Sequence, residues 1–293
     1  MVLVTGSSGY IGRLLSKRLL EKGKSVKGLD ISAGMQPISE LLDKGLEMYK
    51  GSILDNNLLK SVFQDVDTVY HLVGIHSASK EKIYRTYYQG TMKLLKECVL
   101  KGVKNFVLIS NGAVYGDCGD REIRECDPVR PTHYFGTVTY EMENLVQEYF
   151  KLYGVKTYIL RVSEVYGIGR ESFLRRRALR VPGGPGIYNS RIYIEDLIFI
   201  LEKCVEKLMP GQIYNVCDDR AVTQLTFYNE IEKITGYDLP EWVSINQFEE
   251  RIRLSMLGLR AISLRMSNKK IKGILEHKFI ISDIIEGLQK MYR

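Results

Sequence analysis

The chain opens on a short apolar run, Val2-Leu3-Val4, after which Ile11, Leu14, Leu15 and Leu19 recur at helical spacing. This reads as a buried strand followed by an amphipathic helix, and the alternation repeats. Residues 26–30, 46–51, 68–73, 105–110 and 157–161 read as further strands, each separated from the next by a helical pattern. The two longest helices are expected over 80–101, with Ile83, Tyr87, Leu94, Leu95 and Cys98 on one side, and over 134–153, with Leu145, Val146, Tyr149 and Phe150 likewise. Beyond 161 the pattern loosens into a stretch rich in Gly and Arg, 167–190, before elements at 195–207, 213–217, 223–235 and 283–292. No internal repeat or low-complexity tract interrupts the order. Strands alternating with helices specify an α/β fold, a doubly wound parallel sheet flanked by helices, with a smaller C-terminal lobe.

The junction between the first strand and the first helix carries three glycines, Gly6, Gly9 and Gly12. Gly6 permits a tight turn, Gly9 lets the backbone approach a pyrophosphate, and Gly12 lets helix and strand pack closely. The helix N-terminus offers unpaired N–H groups to the anion. The expected fold is therefore Rossmann-like, with Thr5, Ser8, Tyr10 and Ile11 around the turn as cofactor contacts. Asp30 ends the second strand about 18 residues after Gly12, where a carboxylate accepts from adenosine ribose hydroxyls. It also repels a 2′-phosphate, and no Arg or Lys stands in 31–36, so NAD is favoured over NADP. Residues 1–166, with 191–217 returning to the sheet, are expected to bind the dinucleotide, and 167–293 to form mainly the substrate lobe.

Composition narrows the picture without changing it. A chain of 293 residues that is 45% hydrophobic can bury a large core. The net charge of +7 and pI near 9.0 suit acidic small molecules as readily as nucleic acid. Nucleic-acid binding lacks interleaved aromatics or a recognisable module, which argues against it. The five cysteines are scattered and odd in number, without the close pairs of metal sites, and read as reduced thiols. No apolar run approaches a membrane span, so no membrane association is expected and the reading is cytoplasmic.

The chain resembles the extended short-chain dehydrogenase/reductases, in particular the NAD-dependent sugar-nucleotide epimerases and dehydratases. The resemblance runs through Thr5-Gly-Ser-Ser-Gly-Tyr-Ile-Gly12, Asp30, Gly90-Thr91, Leu108-Ile-Ser-Asn-Gly-Ala-Val-Tyr-Gly116, Leu160-Arg-Val-Ser-Glu-Val-Tyr-Gly167, Ile192-Tyr-Ile-Glu-Asp-Leu197 and Tyr214-Asn-Val-Cys217. It implies an NAD-binding sheet, a C-terminal lobe closing over a nucleotide-linked sugar, cofactor contacts at Ser52, Ile53, Leu72 and Val73, and a homodimer formed through the two long helices.

The same resemblance exposes three departures. The family's Tyr-Gly-x-Ser-Lys pattern falls on Phe135-Gly-Thr-Val-Thr139, so the phenol and the lysine that lowers its pKa are both replaced. The Ser or Thr four residues before Tyr115 is Asn111, which can still donate a hydrogen bond to a substrate carbonyl. No tyrosine in the chain has a lysine four residues later. Tyr134 is a poor substitute, because one residue along a helix rotates a side chain by about 100°.

On the substrate side, Glu164 stands where the family often has Asn, and Asn189, with Arg191 close by, where it has Arg. Glu164 is a candidate acid or base, alone or with His133, or else the ion-pair partner of Arg161 or Arg191. Asn111, Tyr115, Glu164, Arg175 and Arg191 are the candidate substrate contacts. Arg170, Arg175, Arg176, Arg177 and Arg180 are either contacts to a nucleotide diphosphate or a solvated face.

Three readings follow from the sequence. One is an NAD-binding protein without the Tyr-Lys relay, serving divergent chemistry or a regulatory role. Another is an active sugar-nucleotide epimerase, dehydratase or reductase with a substitute acid–base group, and the last a cofactor-free interaction module. No metal site is expected.

Overall fold

The computed structural model describes residues 1–31, 38–75, 79–170, 180–236, 238–247, 261–276 and 279–292. The first half alternates as the pattern requires: β1 (Val2–Thr5), α1 (Tyr10–Glu21), β2 (Val26–Asp30), α2 (Ser39–Asp43), β3 (Glu47–Lys50), α3 (Asn56–Val62), β4 (Thr68–His71) and α4 (Lys80–Tyr84). A π-helical turn, Arg85–Gln89, leads into α5 (Gly90–Lys101), followed by β5 (Asn105–Asn111), a 3-10 turn Gly112–Tyr115, β6 (Glu122–Ile123), α6 (Tyr134–Tyr153) and β7 (Lys156–Val162). The second half contributes β8 (Glu164–Tyr166), β9 (Arg180–Pro182), β10 (Tyr188–Asn189), β11 (Arg191–Tyr193), the helix Ile194–Lys207 and β12 (Gln212–Val216).

Seven strands form one sheet in the order β12-β7-β5-β4-β1-β2-β3, and every pairing in it is parallel. The order reverses between β1 and β4. In an open α/β sheet the ligand crevice lies beyond the carboxyl ends of the strands at that reversal. The glycine turn leaves β1 there.

Alternation along each strand sends successive side chains to opposite faces. Leu3, Val69, Phe106 and Ile159 pack with Leu59, Leu94, Leu95 and Val146 of α3, α5 and α6. Val4, Tyr70, Val107 and Leu160 pack with Leu15 and Leu19 of α1 and with Leu197 and Leu201 of the helix Ile194–Lys207. Each such side chain contributes roughly 1.5–3 kcal/mol by leaving water. A third cluster, with Tyr166, Tyr193, Phe227, Ile231, Ile284 and Leu288, is built from the second half of the chain.

Two elements differ from the sequence pattern. The helix expected over 80–101 is interrupted by the π-helical turn, where the Thr91 hydroxyl donates to the Tyr87 carbonyl, an acceptor that a regular ladder would use. The strand expected over 68–73 ends at His71. The Leu72 N–H still donates to the Thr5 carbonyl (3.1 Å), and the chain then leaves the sheet. Among the described residues no helix is long and apolar enough to cross a membrane.

Candidate functional site

The turn after β1 is shaped by what glycine leaves out. Gly6 has φ +75°, a left-handed conformation, and its N–H donates to the Leu29 carbonyl (2.8 Å). A Cβ on Gly6 would lie 2.8 Å from the Leu72 carbonyl oxygen, and one on Gly12 would lie 2.1 Å from that of Gly6. Gly9 is the N-cap of α1 in extended conformation, so Tyr10 and Ile11 begin the helix. The Ser8 N–H donates to Asp30 Oδ2 (3.0 Å), which fixes the carboxylate against the turn.

A buried chain of polar groups supports the turn from below. Thr5 Oγ1 lies 2.7 Å from His71 Nδ1, and His71 Nε2 lies 3.0 Å from Thr91 Oγ1. Burial pushes the His71 pKa down to about 3, so the ring is neutral at physiological pH. The Thr5 hydroxyl is thus committed to His71. Ile53 packs against Gly90, whose Cβ would lie 2.3 Å from Ile53 Cδ1. The Ser52 hydroxyl accepts from the Leu54 N–H (3.1 Å), and the half-buried Leu72 and Val73 pack against the two faces of the sheet.

Across the crevice, Asn111 ends β5 and caps the 3-10 turn: its Oδ1 accepts from the Ala113 N–H (2.8 Å). That leaves the amide N–H₂ as its donor. Phe135 and Thr139 sit on the buried side of α6. The Thr139 hydroxyl donates to the Phe135 carbonyl (2.8 Å), and the Phe135 ring stands edge-on to Tyr87. Tyr134 turns elsewhere, with the Lys80 ammonium 5.5 Å from its ring centroid.

Three buried tyrosines, Tyr87, Tyr115 and Tyr166, are held protonated by their surroundings. Burial pushes both Tyr87 and Tyr115 up to about 12, and raises Tyr166 further still. The Tyr87 hydroxyl accepts from the Ile75 N–H (3.1 Å), and the Tyr115 hydroxyl donates to Asn215 Oδ1 (2.8 Å). Tyr115 also lines a cleft of about 350 Å³ with Asp117, Cys118, Arg121, Pro128 and Arg130.

The structure resolves the choice of partners left open for Glu164. Glu164 and Arg191 are directly paired on the parallel strands β8 and β11, and Arg191 Nε donates to Glu164 Oε2 at 3.0 Å. The buried Arg191 guanidinium also stacks 3.8 Å over the Phe227 ring. Arg161 has a different partner: it donates to both carboxylate oxygens of Glu143, which also accepts from the Ser110 hydroxyl. His133 is the N-cap residue of α6, with its ring 3.0 Å from the Thr132 hydroxyl. Arg175, Arg176 and Arg177 lie outside the described residues. Of that cluster, the Arg170 side chain is described, and it stacks on Tyr10. Among the described residues no group of three or more His, Cys, Asp or Glu could hold a metal ion, and all five cysteines are free thiols.

Several residues of the site carry no local sequence signal. Glu143 and Arg161, the Tyr10–Arg170 stack and the Tyr166–Asp218 hydrogen bond (3.3 Å) each join segments far apart in the chain. Only pairing two opposite charges by their place in the fold would have found the first.

Comparison with known proteins adds a family to this geometry. A family model described as the NAD dependent epimerase/dehydratase family matches residues 2–217. The dTDP-D-glucose 4,6-dehydratase of Dictyostelium discoideum is 25% identical over 268 residues, covering 80% of this chain and 62% of that protein. The UDP-glucose 4-epimerase of Haemophilus influenzae is 32% identical over 160 residues, 50% of this chain and 47% of that protein. The chain thus spans about half to three fifths of the length of these curated relatives. A solved dTDP-glucose 4,6-dehydratase from Streptomyces venezuelae, with NAD bound, superposes with a TM-score of 0.85 at 20% identity, covering 100% of this chain and 95% of that one. At that identity the likeness is one of fold.

Proposed function

Because the chain belongs to the NAD dependent epimerase/dehydratase family, we propose that it holds NAD and a nucleotide-sugar-like ligand without a Tyr-Lys proton relay, in divergent chemistry or a regulatory role. The turn at 6–12 fits the cofactor: the space that a Cβ would fill at Gly6 and Gly12 is closed to any side chain, so backbone N–H groups form the surface. Asp30, held by Ser8, accepts from ribose hydroxyls and disfavours a 2′-phosphate, which selects NAD over NADP. Bound there, NAD supplies a hydride acceptor.

The carrying observation is at the opposite wall. Phe135 and Thr139 are 4% and 1% exposed, and the Thr139 hydroxyl is bonded to its own helix. Neither can take a proton from a sugar hydroxyl. Asn111 contributes a neutral donor that orients or polarises a ligand oxygen, and Glu164 and Arg191 face the ligand as an ion pair. Tyr115 and Arg175 complete the proposed substrate contacts.

A second reading rests on Glu164, whose side chain is 27% exposed while Arg191 is buried. In that reading Glu164 moves the proton in place of the phenol and must loosen its bond to Arg191 to do so. The first reading expects purified protein to bind NAD and nucleotide sugars while forming NADH or epimerised product at least about a hundredfold more slowly than an enzyme with a positioned acid–base group. Ordinary enzymatic rates would overturn it. The family resemblance also implies a homodimer through α5 and α6, where Leu100, Leu152 and Tyr153 are exposed.

A further inference from the structure

The segment after β8 turns back on itself at Gly167 (φ +141°) and Gly169 (φ +90°) and delivers Arg170 to the cofactor turn. A Cβ on Gly167 would lie 2.4 Å from Ile194 Cγ2, so this return path is closed to other residues. The Tyr10 hydroxyl donates to the Ile168 carbonyl (2.8 Å), and the Arg170 guanidinium carbon lies 4.6 Å from the Tyr10 ring centroid. Tyr10 is the first residue of α1, the helix whose N-terminus faces the crevice. A residue of the substrate lobe is therefore stacked on the rim of the dinucleotide turn.

Arg170 is largely withdrawn from water, and that burial lowers its pKa from the usual arginine value. A guanidinium has five N–H donors. One nitrogen, Nη1, donates to the Val165 carbonyl (3.1 Å), and Nε and Nη2 meet no acceptor among the described residues. Glu164 acts on it only through its charge, being bonded to Arg191. A half-buried guanidinium with a single hydrogen bond is poorly compensated, and a planar fork of this kind matches phosphate oxygens bidentately.

We propose that Arg170 grips the pyrophosphate of the bound dinucleotide from the lobe side, so that the cofactor itself fastens the segment 165–170 to the glycine turn. This rests on the reading that NAD occupies the turn. The phosphates take two kinds of donor, backbone N–H groups of α1 from below and the Arg170 fork from above. Cofactor occupancy then orders the strand that carries Glu164.

Calorimetric titration of wild type, Arg170→Gln and Arg170→Lys with NAD, ADP and adenosine tests it. Arg170→Gln is expected to weaken NAD and ADP by about ten- to a hundredfold, the range for hydrogen bonds to charged groups, with adenosine unchanged. The salt dependence of ADP binding flattens in the same variant. Arg170→Lys, which keeps the charge but loses the fork, falls between and decides the matter if circular dichroism shows the Gln variant misfolded. ADP affinity within twofold of wild type in the folded variants overturns the proposal, as does an equal loss for adenosine, which would mark a packing role through Tyr10. If wild type binds neither NAD nor ADP, the cofactor reading fails with it. If wild type binds and the variants match it, only Arg170 is misassigned.

Discussion

Phe135 meets Tyr87 edge-on, with ring centroids 5.2 Å apart and planes at 85°. Position 135 is therefore filled by an aromatic contact that belongs to the core, and the nearby hydroxyl, that of Tyr87, is bound to the Ile75 backbone. Edge-to-face pairs of this kind contribute about 0.5–1.5 kcal/mol beyond their buried area.

Building a Tyr-Lys pair at 135 and 139 tests whether the rest of the pocket is competent. The double variant Phe135→Tyr, Thr139→Lys is expected to lose stability, since a lysine replaces a residue that is 1% exposed. Where it folds, NADH formation with a nucleotide sugar should rise by about a hundredfold or more. A folded double variant with no gain would show that the ligand is not placed for that reaction.

Glu164→Gln separates the two functional readings. It leaves the buried Arg191 charge without its carboxylate, and stability should fall by about 1–2 kcal/mol, less than for a fully buried pair because Glu164 is partly exposed. Urea titration measures this. A large loss of turnover alongside it would favour Glu164 as the substitute base.

His71 should control an acid limb of stability. Its folded pKa of about 3 lies below the ordinary histidine value of 6.5, so below pH 6.5 the unfolded chain binds a proton that the native state refuses. Stability present above 6.5 is then lost by about 1.4 kcal/mol per pH unit as pH falls toward 3. His71→Asn is expected to be less stable at pH 7.5 but to show a shallower decline between pH 6.5 and 5. An unchanged slope in denaturation curves would refute the assignment.

Asp218 predicts a slope of the opposite sign. Desolvation raises its carboxyl well above 3.8, Oδ1 has no hydrogen-bond partner among the described residues, and Oδ2 accepts from Tyr166. The native state keeps a proton that the unfolded chain releases, so stability falls as pH climbs from 3.8 toward the raised value, by up to about 1.4 kcal/mol per unit. Asp218→Asn should remove that loss and gain on wild type as pH rises, read from melting temperatures across pH 5 to 8.

The glycines should rank by their surroundings. Gly12→Ala places Cβ 2.1 Å from a backbone oxygen, against 3.2 Å at Gly9. The first should cost about 1–3 kcal/mol and abolish NAD binding, and the second should mainly weaken binding. Equal effects on stability would contradict the packing argument.

The sequence by itself determined the alternation of strands and helices, the glycine turn, the acidic end of β2 and the absence of any tyrosine with a lysine four residues on. Those signals are local: hydrophobic period, backbone freedom and residue identity at fixed spacing act within a turn or a strand. Which charges meet was decided only by the tertiary structure. From the sequence, Arg161 and Arg191 were equal partners for Glu164; parallel pairing of β8 with β11 set Arg191 beside it, and the packing of α6 on β7 gave Arg161 to Glu143. The π-helical turn before Gly90 and the stack of Arg170 on Tyr10 were equally unreadable. Ion pairing and stacking act over a few ångströms of space and are blind to separation along the chain, so only the folded chain shows which groups they join.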